Sequence, residues 1–177
     1  MITKRFPAFR EIVPVYAVVA AFIYLWTLFV ILWQVPSWLL SLTPGEILSI
    51  TAYELVNCLI ESLTFLIFLL IVTALLPPRL LKNDFIVRAT WLTVGMLGSL
   101  VVFFLCLNFI SATVYMRQTI WTIATILLSM LLAHLSGRVT WMRNAANWVS
   151  DRLLIFLFLF LPLSAISLPV VILRNLF

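Results

Sequence analysis

The chain has 177 residues, of which 65% are hydrophobic and only 10% charged, with a net charge of +5 and a mean hydropathy of +1.23. A water-soluble domain carries about 25% charged residues, so a globule covered by polar side chains is excluded. The bilayer must act as solvent for much of the surface, and only helices or closed barrels pair every backbone group inside it.

The apolar runs are continuous and ~20 residues long, the length a membrane helix needs, and none shows the short alternation of barrel strands. The sequence therefore predicts an all-α integral membrane protein. It forms a single transmembrane domain over residues 1–177, a bundle of five helices near 13–33, 46–76, 85–110, 119–135 and 153–173. The first run follows Lys4, Arg5 and Arg10. It is too long for a cleavable signal and has no small-x-small site after it, so it reads as a retained span.

Pro14 is placed in the first turn of helix 1, where a missing N–H costs little. Residues 34–43 read as a loop. Thr43-Pro44-Gly45-Glu46 is a helix start, with a capping threonine, proline at the first helical position and an acid where a capping box needs one. Helix 2 then runs to Pro77-Pro78. At ~45 Å for ~30 residues it is longer than a ~30 Å hydrocarbon core. Asn83 and Asp84 are good caps for helix 3. Helix 5 carries Pro162 and Pro169.

The connector 136–152 is the longest polar stretch. Trp141, Ala145, Trp148 and Val149 recur in it at helical spacing, which suits either a short helix lying in the interface or an irregular loop. Trp141 and Trp148, together with His134 and Arg138, are the candidate interfacial residues.

Basic residues set the orientation. Lys4, Arg5 and Arg10 precede helix 1. Arg79, Lys82 and Arg88 lie between helices 2 and 3 or just inside helix 3, and Arg138, Arg143 and Arg152 between helices 4 and 5. These nine fall on one side of a five-span chain; Arg117 and Arg174 fall on the other. The positive-inside rule then puts the N-terminus in the cytoplasm, the C-terminus outside, and the protein in a cytoplasmic membrane.

Candidate chemistry concentrates on helix 2. Glu54, Asn57 and Glu61 are spaced i, i+3, i+7 and share one stripe. Glu54 is expected near the outer boundary and Glu61 two turns deeper. Carboxylates at such depth are costly and face the protein interior or water. Asn108 near the outer end of helix 3, and Arg117 in the loop before helix 4, are placed at the same level. Tyr115, Gln118, Ser164 and Ser167 are placed there too. A polar, partly wet outer cavity is the functional reading; packing glue between helices is the structural one.

Small residues also form stripes: Ala17 and Ala21, Gly95 and Ser99, and Thr122, Thr125, Ser129 and Ala133. They predict close helix approach. Cys58 and Cys106 lie in apolar runs and read as small buried hydrophobes.

The sequence has no HExxH, GxSxG, Walker loop or CxxC. No catalytic residue, metal or cofactor is assigned, and an enzyme is the least supported class. The basic residues are explained by topology, so no nucleic-acid partner is expected.

In span count and orientation, with a short basic tail at the start, the chain resembles the membrane anchor of lipoteichoic-acid-synthase-type phosphotransferases. That resemblance is one of topology alone, without the family's catalytic motifs, and it assigns no residue a role. Size and basic charge are also similar to small multi-spanning scaffold proteins of cell-wall machineries.

Two expectations follow. The first is a non-catalytic accessory or scaffold subunit that binds other membrane proteins and lipids. The second is a small transporter or lipid-handling protein using the polar stripe of helix 2.

Overall fold

The computed structural model describes residues 7–76, 84–107 and 114–176. It contains five helices: α1 (Phe9–Trp38), α2 (Pro44–Leu75), α3 (Phe85–Leu107), α4 (Val114–Ser136) and α5 (Thr140–Leu176). All five are long and apolar enough to cross a membrane, as a multi-pass membrane protein requires.

Several helices run past the ends of their apolar stretches. Helix α1 starts at Phe9, where the Glu11 carboxylate accepts the Ala8 N–H at 3.0 Å. Pro14 therefore lies inside the helix and not in its first turn. The helix also continues through Pro36 to Trp38, so the connection to α2 is a short turn. The capping box is present: the Glu46 N–H donates to Thr43 Oγ1 at 3.4 Å, and the Thr43 N–H donates to the Glu46 carboxylate at 2.7 Å. Helix α4 begins at Val114, which puts residue 117 in a helical turn and not in a loop.

The connector after α4 differs most from expectation. It is neither an irregular loop nor a separate helix, because α5 is continuous from Thr140 and carries both Pro162 and Pro169. No glycine or proline interrupts 140–161, so nothing ends the helix where the apolar run begins. Its 37 residues make it about 55 Å long at 1.5 Å per residue.

Helix α1 is the hub. Val15, Ala17, Val18, Val19, Ala20 and Ala21 are each at most 1% exposed. Six nearly consecutive buried positions cover the full circumference of a helix, since successive residues turn by about 100°. Helices α2, α3 and α5 enclose it. On one side Val15 and Val19 join Leu69, Phe85, Ala89, Leu92 and Ala133; on the other Ala17, Ala20 and Tyr24 join Cys58, Leu157 and Phe160.

Polar side chains fasten this packing. The Ser164 hydroxyl donates to the Leu55 carbonyl at 3.0 Å, so the buried Tyr24 hydroxyl must be the donor in its 2.6 Å bond to Ser164. Phe160 stacks on Tyr24 with ring centroids 4.6 Å apart. One serine thus links α1, α2 and α5.

Helix α4 lies outside this group, packed mainly on α3. Here the small residues face one another as their spacing predicts. Ser99 and Thr125 share a 2.6 Å hydrogen bond, and Gly95 sits against Ser129. A methyl group at Gly95 would lie 2.7 Å from Ser129 Oγ and 3.0 Å from its Cα. We predict that Gly95→Ala destabilises the protein by about 1–3 kcal/mol, the usual cost of overpacking. Gly98→Ala meets nothing within 4 Å and is expected to leave stability unchanged or slightly raised. Equilibrium unfolding in mixed micelles compares the two; equal stabilities would contradict this packing.

Candidate functional site

Helices α2 and α3 both pack on α1 but barely meet each other among the described residues. The Leu69–Phe85 cluster holds them to α1 at one end. Beyond it they leave a cleft of about 420 Å³ over one face of α1. On α1 the lining runs from Phe22 to Trp38, about 24 Å along the helix.

The walls differ in chemistry. Helix α2 contributes Glu54, Asn57 and Glu61. Helix α3 contributes only apolar groups, Leu97, Leu100, Val101 and Phe104. Helix α1 forms the floor with Phe22, Trp26, Val30 and Ile31, and adds Thr27 and Gln34 as polar points. The cleft is therefore amphipathic across its width, acidic on one side and aromatic and aliphatic on the other.

The i, i+3, i+7 spacing on α2 does bring Glu54, Asn57 and Glu61 to one surface. Asn57 Nδ2 donates to Glu61 Oε1 at 3.1 Å, and Glu61 Oε2 and the Asn57 side-chain carbonyl keep their capacity to accept further hydrogen bonds. Asn57 and Glu61 are exposed and Glu54 is half-buried, so none is consumed by packing within the bundle. Among the described residues neither glutamate forms an ion pair. One residue along, Cys58 turns the other way; it is buried and its thiol donates to Thr27 Oγ1 at 3.2 Å. That bond pins α2 to α1 directly behind the acidic wall.

The remaining predicted residues divide differently. Asn108 and the side chain of Arg117 lie outside the described residues. Ser164 and Ser167 do not line the cleft; both are buried on α5, where Ser164 is occupied by Tyr24 and Leu55, and Ser167 by the Leu163 carbonyl. His134 is exposed in the last turn of α4, and Arg138 is exposed just after it. Trp141 and Trp148 are 71% and 63% exposed on α5.

Gln34, Trp26 and Phe104 are site residues that the sequence reading did not pick out. Gln34 carried a signal, being a lone amide four residues from Val30 and Trp38 on the stripe that continues Ile23 and Thr27. Beside the cleft lies a second groove of about 410 Å³. It is almost wholly apolar and shares Phe22, Trp26 and Val101 with the first. Among the described residues no group of three or more His, Cys, Asp or Glu side chains is placed to hold a metal ion. No family model, curated protein or solved structure matches the chain.

The arrangement can accept hydrogen bonds and positive charge along one wall while covering an apolar body with the other. Water access is testable by alkylation. In a Cys106→Ser background, a cysteine placed at Gln34, Asn57 or Glu61 is expected to react with a water-soluble maleimide. Native Cys58, 1% exposed, is expected to resist it until the protein is unfolded. Failure of all three introduced cysteines to react would show the cleft to be dry.

Proposed function

We propose that the chain is a lipid-handling or small transport protein that binds an amphiphile in the cleft between α1, α2 and α3. The polar headgroup would rest on Glu54, Asn57 and Glu61, and the apolar body on Phe22, Trp26 and Phe104. The observation that carries this reading is the mixed lining of a single cleft, an acidic and amide wall facing an aromatic one. Binding sites for small molecules are typically apolar concavities with a few convergent polar groups. Intramembrane carboxylates are costly enough that a functional role is their default reading. Packing glue would be buried between helices, whereas Asn57 and Glu61 are exposed along the cleft.

The charge distribution supports a cytoplasmic N-terminus in a cytoplasmic membrane, with nine basic residues on the inner side and two on the outer. In that orientation α2 runs inward, Glu54 lies toward the outer face, and Gln34 and Trp38 stand at the cleft's outer mouth. The ligand would enter from the outer leaflet.

A second reading is that the chain is a non-catalytic accessory or scaffold subunit. It is favoured by α4, which packs mainly on α3 and turns Ile120, Ile123, Leu127, Met130 and Leu131 outward. Other membrane subunits would then cover that face, and a partner helix would fill the cleft.

One purification in mild detergent, with mass spectrometry of everything retained, separates the two. The amphiphile reading predicts a bound lipid or other amphiphile at near-unit occupancy. Glu61→Gln is expected to weaken binding about tenfold, the ~1.4 kcal/mol of one good polar contact, and so to lower the retained occupancy clearly, while yield stays unchanged. Stoichiometric partner proteins with no retained amphiphile would replace it by the scaffold reading. Full retention by Glu61→Leu would remove the site.

A further inference from the structure

The first four turns of α5 carry a feature unconnected with the cleft. One face of this segment is locked to α3. Trp91 Nε1 donates to the Met142 carbonyl at 3.0 Å, Thr90 and Ser150 share a 3.1 Å hydrogen bond, and Ala146 is 2% exposed. Arg143 closes the contact through an ion pair with Asp84. The opposite face carries Trp141, Trp148 and Arg152, all exposed. At about 100° per residue these three fall within one narrow stripe. The same stripe continues into Ile155 and Leu159, which are also exposed.

We propose that this stripe holds the phosphodiester headgroup of an anionic phospholipid. Ile155 and Leu159 face outward from the apolar part of α5 and belong in hydrocarbon. Helical side chains point back toward the N-terminus, so the Arg152 guanidinium reaches down toward the headgroups, and it lies 5.7 Å from the centre of the Trp148 ring. Trp148 and Trp141 are seven residues apart, about 10.5 Å along the axis, a little more than the ~5–8 Å headgroup layer of one leaflet. The two indoles thus bracket that layer, where tryptophan is favoured.

Arg152 supplies a planar fork of donors matched to phosphate oxygens, and among the described residues it forms no ion pair. Exposed Arg138 lies close by in sequence and adds to the positive field. Asp151 sits about 100° round the helix from Arg152, off the stripe. Because α3 fixes the segment from behind, little order need be imposed when the lipid docks.

The test uses the full chain in nanodiscs of phosphatidylcholine, alone or mixed with phosphatidylglycerol, followed by gentle extraction and mass spectrometry of retained lipid. The unaltered protein is expected to retain phosphatidylglycerol about fivefold above its share of the bilayer, the effect of one basic residue at an anionic surface. Arg152→Gln is expected to abolish the enrichment and Trp148→Leu to reduce it, while Glu61→Gln leaves it intact. Equal retention of both lipids by the unaltered protein would overturn the proposal. So would enrichment that survives both α5 substitutions. Enrichment lost only in Glu61→Gln would move the lipid to the cleft and overturn it as well.

Discussion

The whole arrangement depends on the burial of α1 between Val15 and Ala21. Inside a bilayer the hydrophobic effect does not drive helices together, because lipid tails are as apolar as leucine. Close van der Waals approach and a few hydrogen bonds must do it. Ala17, Ala20 and Ala21 provide the approach, and their small side chains let α2, α3 and α5 close around one helix. The hydrogen bonds then fix rotation. With Ser164 donating to the Leu55 carbonyl and accepting from Tyr24, α5 cannot turn without leaving a buried hydroxyl unpaired.

Toward the C-terminal end of α1, the side chains change size. After Ala21 the helix presents Phe22, Trp26, Phe29, Trp33 and Trp38. Phe22, Trp26 and Trp38 line the cleft, and Trp26 also stacks with Phe29 and Phe104. Bulk on the hub keeps its neighbours apart. Helices α2 and α3 share a cluster on Val15 and Val19 at one end and flank the aromatic rings of α1 at the other. The cleft therefore follows from a gradient of side-chain volume along a single helix, and the acids of α2 lie along the part that gradient opens.

This is also why the fold was more legible than the site. Five spans follow from apolar runs of sufficient length, and the Gly95–Ser129 and Ser99–Thr125 contacts follow from small residues at helical spacing. The stripe of Glu54, Asn57 and Glu61 was visible because polar residues stand out against an apolar background. Its facing wall was not, because in a membrane a buried leucine and a lipid-facing leucine look alike. In a soluble helix, polar residues mark the exposed face; here Leu97 and Val101 carry no such mark. Helix ends were misplaced for a related reason. The hydropathy of a segment reports where hydrocarbon is tolerated, whereas a helix stops only where its backbone is broken or capped, so α1 and α5 extend well past their apolar stretches.

The same logic explains how two carboxylates are accommodated in so apolar a chain. A buried, unpaired carboxylate would be driven to neutrality or would destabilise the bundle. Glu54 and Glu61 avoid that fate because the helices diverge at their level. Each faces a concavity that ends at Gln34 and Trp38, and Asn57 supplies Glu61 with one donor from a single turn away. The remaining oxygen needs a partner from outside the bundle, whether water, a cationic headgroup or a neighbouring helix. A leucine at either position would need no such opening, so the acidic wall and the divergence of the helices beside it belong to one arrangement.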